Sequence, residues 1–325
     1  MALKIGLALG SGAARGWAHI GVIRALQKYG IEPDIVCGCS IGAVVGAAYA
    51  ASSLDRLEDW VTSLNRLELA KYAELSFRSG LIDRERLNEG FVNNICSEDT
   101  KIESFDKAFG SVATDLHTGR EVWFTQGNAL TAIWASIALP GLFAPIPFED
   151  KWLVDGGLVN PVPVSMCRSL GADVVIAVDL NADIIGKHSR KAVDDSANSS
   201  TRKKLIKDKY KAEAKKEAKE EAERDISLSN WRSAIVDYSA QLFPNLQKEQ
   251  EPQMPGMFET IAGSVNIMQD RITRSRMAGD PPDVLLSPRL AHISLLEFYR
   301  AEESIQAGYD LTLRKLDSIR YALRG

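Results

Sequence analysis

A chain of 325 residues with 45% hydrophobic and 25% charged side chains has an ordinary globular composition, long enough for one large α/β domain or two medium ones. Its formal net charge of −4 gives no bulk attraction to nucleic acid or anionic lipid, so no nucleic-acid partner is expected and any basic surface has to be local. Cys37, Cys39, Cys96 and Cys167 fit neither a disulfide framework nor zinc spacing, which points to buried thiols, a reducing cytoplasmic setting and no metal. The first apolar run stops at Gly10, too early for a signal peptide. No stretch approaches the roughly 18–20 apolar residues that span a bilayer, so any membrane contact is expected from the side, at the inner surface.

In chain order, Lys4–Leu9 reads as a short buried strand ending at Gly10. Residues 18–30 follow as a helix, with Ile20, Ile23 and Leu26 on one face and Gly30 at its C-terminal cap. "IEPDIVCG" is the next strand and Ile41–Ala50 the next helix; this rhythm predicts a mostly parallel sheet with helices on its faces. "SLDRLEDWVTSLNRLEL" predicts one amphipathic helix, capped by Ser53, with Leu54, Leu57, Val61 and Leu64 inward. Ser111–Asp115 and Glu121–Thr125 predict a hairpin turning at Gly119. Trp152–Val154 is a short strand running into Asp155, and Ala172–Leu180 a fully buried one. Residues 202–225 then carry ten basic and seven acidic side chains with few apolar ones, so they predict a charged helical insertion. Such a segment fits a solvated, inert insertion, an electrostatic lid or a membrane-surface arm. Pro244, Pro252 and Pro255 mark a loop, order returns at Met257–Met268, and the chain closes with a helical stretch over 295–323.

Three motifs carry chemistry. The first is Gly38-Cys39-Ser40-Ile41-Gly42, placed between a strand and a helix. That is the arrangement of a nucleophile elbow, in which Gly38 and Gly42 keep side chains away from a sharp turn. Alone it also fits an ordinary tight turn. The second is "LGSGAARG", Leu9–Gly16, which again follows a strand and opens a helix. Consecutive backbone N–H groups there suit a phosphate or an oxyanion. The spacing is neither that of a P-loop nor that of a dinucleotide fingerprint, since the third glycine falls at Gly16. A serine nucleophile needs a base. None of His19, His117, His188 and His292 stands at a strand end, whereas Asp155 does, followed by Gly156 and Gly157. Asp155 alone would equally serve as a turn cap.

Taken together and in this order, the glycine loop ending Arg15-Gly16, the Gly-x-Ser-x-Gly elbow and Asp155-Gly156-Gly157 resemble the patatin-like phospholipase family. The likeness is strongest to bacterial members similar to the neuropathy-target-esterase catalytic domain. "ASIALPGLFAPI", Ala135–Ile146, also looks like the segment that precedes the family's aspartate. The resemblance covers about residues 3–182 well. It implies a three-layer α/β/α fold with a mostly parallel central sheet and a nucleophile elbow, with the catalytic core at 1–182, a charged insertion at 183–256, and 257–325 completing the core. It implies a serine lipid acyl hydrolase without metal or cofactor, acting on phospholipid or lysophospholipid esters through a Ser–Asp dyad and an acyl-enzyme. Ser40 is then the nucleophile and Asp155 the base. The N–H groups of Ser11, Gly12 and Ala13 form the oxyanion hole, with Arg15 fixing the loop. Ser11 and Ala13 depart from the family pattern, which has glycines there; a Cβ at these positions narrows the loop and asks for negative φ. The apolar run Ala138–Phe148 is expected to keep the site dry. The alternative is a regulatory or scaffold protein on the same fold, binding lipid or a protein with little turnover.

Overall fold

Alternating apolar side chains in the strands separate two packed faces. In β1 (Ile5–Leu9), Leu7 and Leu9 enter one buried cluster while Ala8 enters the other. In β2 (Ile35–Cys39), Val36 goes one way and Ile35 and Cys37 the other. Successive side chains of a strand point to opposite faces, so these runs are apolar throughout because both faces are covered.

The computed structural model describes residues 3–70, 72–76, 80–82, 84–183 and 257–324. The chain divides into one unit of Met1–Ile185 with Ala262–Gly325 and a second of Gly186–Ile261. The second unit is described only over 257–261, the start of a helix, so the charged segment Arg202–Asp225 lies outside the described residues.

In the first unit, α1 (Ala18–Lys28) returns the chain from β1 to β2, and α2 (Ile41–Ala50) leaves β2. After α3 (Leu54–Ser63), α4 (Arg66–Ala70), a small hairpin of β3 (Ala73–Ser76) and β4 (Gly80–Ile82), and α5 (Arg84–Asn94), the chain re-enters the sheet. It does so as β5 (Ala108–Asp115), β6 (Glu121–Phe124), β7 (Ile146–Phe148) and β8 (Lys151–Asp155), with α6 (Ala129–Ile137) between β6 and β7. Then come α7 (Val164–Ser169) and β9 (Val174–Val178). The last elements are α8 (Met257–Gly279), β10 (Val284–Leu286), α9 (Ala301–Arg314) and α10 (Leu316–Ala322).

The main sheet runs β10-β9-β1-β2-β5-β8-β7, with β6 also paired to β5. Strands β10, β9, β1, β2 and β5 are parallel; β6, β7 and β8 pair antiparallel. The sheet is therefore mixed at one end rather than parallel throughout. The larger core cluster lies under α1, α2, α3 and α6, and the smaller one under α7. This is the expected three-layer α/β/α arrangement.

Three local expectations change. The amphipathic stretch over 53–69 breaks at Leu64, whose ψ of 113° is extended, giving α3 and α4. Ser53 stands at the start of α3, but its hydroxyl donates to Ala48 O instead of capping an amide. The closing helical stretch is two helices that meet at Lys315, whose amide still bonds back to Leu311 O and Thr312 O.

Candidate active site

Two neighbouring parallel strands end at the site. β1 and β2 pair in register, Leu9 opposite Gly38, so the two glycine-rich turns that follow them lie side by side. In open parallel sheets, ligand sites form beyond the carboxyl ends of the strands.

Ser40 is the sharp turn itself. Its φ of 55° and ψ of −125° are unusual for a residue with a Cβ, a conformation that costs on the order of 1–3 kcal/mol and is kept only where surroundings enforce it. The surroundings are backbone. A Cβ on Gly38 would lie 2.3 Å from Gly42 O, and one on Gly42 would lie 2.1 Å from Leu9 O. Only glycine lets strand, turn and helix approach this closely. The Ser40 amide donates to Ser136 Oγ at 2.9 Å, which ties the elbow to α6. Ser40 also begins α2, so the positive end of that helix dipole faces the site.

The Ser40 hydroxyl donates to Asp155 Oδ2 at 2.6 Å. Asp155 ends β8 and is 1% exposed. Its other oxygen, Oδ1, accepts the Gly157 amide at 2.7 Å, and Thr114 Oγ1 donates to its carbonyl at 2.8 Å. Gly156 is obligatory here, because a Cβ would lie 2.1 Å from Val112 O. Burial pushes the Asp155 carboxyl up to about 6, with the bonds from Ser40 and Gly157 pulling the other way. A base in that range is better matched to neutral pH than an ordinary aspartate.

The glycine loop is pinned along its length. Gly10 N–H donates to Val178 O, Ser11 N–H to Pro161 O, Ala14 N–H to Leu295 O and Arg15 N–H to Gly12 O. The Ser11 amide is therefore engaged, which removes it from the expected set of oxyanion donors. No acceptor is found among the described residues for the amides of Gly12 and Ala13. Ala13 has φ of 48°, left-handed despite its Cβ, contrary to the expected negative value. The buried Arg15 bonds Gly12 O through Nε at 3.2 Å and Asn266 Oδ1 through Nη2 at 3.2 Å. Burial lowers its pKa to about 10, with Asp183 and Asp179 opposing, so it stays a cation at neutral pH.

Beside Ser40 opens a cavity of about 130 Å³, walled by Ile41, Val44, Phe91, Leu139, Leu142 and Phe143 among others. Ala13 reaches the same cavity. Of the run Ala138–Phe148, Leu139, Leu142 and Phe143 line it, while Ile146 and Pro147 sit in a separate groove beside Arg84. Among the described residues no histidine lines the cavity. His19 is buried with Nε2 against Gly10 O at 2.8 Å, and burial lowers its pKa to about 4, so a neutral ring donates to that carbonyl. His292 pairs with Glu303 on the surface, and His188 lies outside the described residues. Cys39, next to Ser40, is fully buried and its thiol is pushed well up by burial.

Sequence reasoning missed Ser136, Thr114, Asn266 and Gln269. Ser136 does carry a signal, since it lies within "ASIALPG". The other three sit in segments without a motif.

The comparisons with known proteins fall on this region. Residues 7–168 match the model of the family described as patatin-like phospholipase. An uncharacterised NTE family protein of Mycobacterium tuberculosis is 33% identical over 338 residues, covering 97% of this chain and 92% of that protein. Lysophospholipase NTE1 of Chaetomium globosum is 37% identical over 188 residues, which cover 55% of this chain and 12% of that protein. Among solved structures, VipD from Legionella pneumophila aligns with a TM-score of 0.44 at 13% identity, over 98% of this chain and 67% of that one.

Proposed function

The chain belongs to the patatin-like phospholipase family, in its NTE group, and from that premise we propose that it cleaves an acyl ester of a phospholipid or lysophospholipid through a Ser40–Asp155 dyad. The family makes it a lipid carboxylic-ester hydrolase; the dyad, the substrate and the steps are proposals. One observation carries them: the Ser40 hydroxyl donates to Asp155 Oδ2 at 2.6 Å beside an apolar cavity.

Asp155, ionised, accepts the Ser40 proton as Oγ attacks the ester carbonyl. The negative charge that develops on the carbonyl oxygen meets the amides of Gly12 and Ala13; a donor of this kind is worth roughly 2.7–4 kcal/mol in comparable sites. Protonated Asp155 then gives its proton to the departing glycerol oxygen, leaving Ser40 acylated. Water enters, loses a proton to Asp155 and attacks the acyl carbon. Collapse releases the fatty acid, and Asp155 returns the proton to Ser40. The acyl chain lies in the cavity walled by Leu139, Leu142 and Phe143. The name of the fungal relative, a lysophospholipase, favours a single-chain substrate for this protein too.

Among the described residues no helix is long and apolar enough to cross a membrane. We propose peripheral contact with a lipid surface, and a reducing compartment in keeping with four buried free cysteines. The division into a core at 1–182, an insertion at 183–256 and a completing segment at 257–325 belongs to the same proposal.

The test pairs a fluorophosphonate probe with turnover of lysophosphatidylcholine. Wild type should be labelled once per chain and release fatty acid. Ser40→Ala should do neither, and Asp155→Asn should lose turnover by roughly 10³-fold or more, the scale of losing a catalytic partner. Equal labelling of wild type and Ser40→Ala would end the assignment.

A further inference from the structure

Helix α8 lies more than a hundred residues beyond Asp155 in sequence, yet its side chains reach both turns of the site. Asn266, Gln269 and Arg276 are spaced to share one helix face. Asn266 Oδ1 accepts from Arg15 Nη2 at 3.2 Å. Arg276 Nε donates to Val159 O at 2.7 Å, four residues past Asp155, and its guanidinium pairs with Glu121. Gln269, 5% exposed, stands between them.

The Gln269 side chain touches the glycine loop and the aspartate turn at once. Its Oε1 accepts from Ser11 Oγ at 3.0 Å and from Asn181 Nδ2 at 3.1 Å. Its Nε2 lies against Gly157: a Cβ built there would fall 2.4 Å from Nε2 and 2.9 Å from Asp155 Oδ1. Gly157 is the residue whose amide holds Asp155 Oδ1. One buried carboxamide thus bears on the loop that carries the amides of Gly12 and Ala13 and on the turn that aims the base. Ser11 and Pro161 already join these two segments through backbone, Ser11 N–H to Pro161 O at 2.9 Å. That bond fixes the backbone of Ser11; the bond from its Oγ to Gln269 adds a side-chain tie between the same residue and α8, beside the contact from Asn181.

We propose that Gln269 is a positioning residue for the hydrolysis, fixing the Gly12–Ala13 amides against the Asp155 turn through the hydroxyl of Ser11. This deepens the reading of Ser40 as nucleophile and rests on it. The alternative, that Gln269 merely fills a buried polar space, makes a different prediction. A filler supports the fold, so its loss lowers stability and the fraction of competent molecules. A positioning residue sets the rate in molecules that remain folded and competent, because displacement of an oxyanion donor by about 1 Å already costs much of its benefit.

The experiment uses the full chain and four proteins: wild type, Gln269→Leu, Ser11→Ala and the double variant. Fluorophosphonate labelling gives two numbers for each, the stoichiometry and the rate constant, and a soluble short-chain ester gives kcat and KM. For Gln269→Leu we expect labelling still near one per chain. Its rate constant and kcat should fall about tenfold or more while KM changes by less than about threefold. The double variant should be no slower than the slower single variant within about twofold, since both changes break one linkage. Loss of stoichiometry with an unchanged rate constant would overturn the proposal, as would kcat within about threefold of wild type. Losses that multiply in the double variant would overturn the route through Ser11. If Gln269→Leu does not fold, Ser11→Ala carries the same test: unchanged rate constants there overturn the proposal. Wild type that takes no label would instead remove the nucleophile reading on which it rests.

Discussion

The elbow and the glycine loop stand next to each other at the ends of β1 and β2 and are held in opposite ways. The elbow is enforced by backbone: Gly38 against Gly42 O and Gly42 against Leu9 O. The loop is held by polar partners from far along the chain, Pro161, Leu295, Asn266 and Gln269, and by His19 nearby. Crowded backbone leaves one position available, so the elbow is rigid and intolerant. The loop has close contacts too, Gly10 against Val178 O, but its outer residues depend on long-range hydrogen bonds, so loss of those bonds should show in rate before it shows in folding.

The sharpest way to break this comparison is to put equal chemical insults into both regions. Gly42→Ala adds one methyl that has no room, and we expect a loss of stability of roughly 2–4 kcal/mol, read as a large fall in melting temperature or in soluble yield. Arg15→Met keeps the bulk but removes the bonds to Gly12 O and Asn266. It should lower kcat by about tenfold or more with a smaller fall in melting temperature. If Arg15→Met unfolds the protein while Gly42→Ala merely slows it, the contrast between the regions is wrong.

A second test turns on Asp155, which holds the hydroxyl of the elbow serine. Its carboxyl is raised to about 6, so it binds its proton more tightly when folded than when unfolded. Stability from this group is complete below about pH 4 and declines as pH rises through about 6. On the proposed mechanism activity needs the ionised form, so kcat/KM should fall about tenfold per unit below about pH 6. Asp155→Asn should therefore be inactive yet more stable than wild type at neutral pH, by on the order of 2 kcal/mol, with the difference shrinking towards about pH 4. Denaturant unfolding at the two pH values measures it. Equal stability of the two proteins at neutral pH would mean that the site stores no such cost.

The smallest effect is expected in the charged segment. Replacing Arg202–Asp225 by a short Gly/Ser linker removes ten basic and seven acidic side chains but little apolar area. Melting temperature and turnover of a soluble ester should hold within error. Activity on anionic vesicles should drop modestly and the difference should fade at high salt. A collapse of soluble-ester turnover would mean that this stretch supports the core.

What can be read from the sequence follows the same division. β1, α1, β2 and α2 are legible because their signals are local: apolar runs, a helical face, glycines within a few residues of the serine. Gly30 and Gly119 stand at positive φ as their turns require. The β5–β6 hairpin is legible from its turn at Gly119, but the antiparallel entry of β7 and β8 is not, because both runs are short and nothing in either specifies direction. The break at Leu64 is hidden inside an unbroken amphipathic pattern. At the site, Ser40 and Asp155 can be named from their motifs, and their side-chain oxygens lie 2.6 Å apart. The state of the loop cannot: the Ser11 amide is taken by Pro161, and the left-handed Ala13 stands between residues tied to Pro161 and Leu295 far along the chain. Gln269 is 258 residues from Ser11 and announces itself by no pattern.

That separation also orders events during synthesis. Serine and aspartate have both been made by residue 155, whereas Asn266, Gln269 and the Leu295 carbonyl come more than a hundred residues later. At about 5–20 residues per second the gap lasts on the order of ten seconds. Through that interval the nascent chain carries Ser40 and Asp155 but lacks the anchors that hold its glycine loop. On the proposed mechanism, a chain built in this order is expected to stay inactive until its last fifth has emerged and tied down the loop.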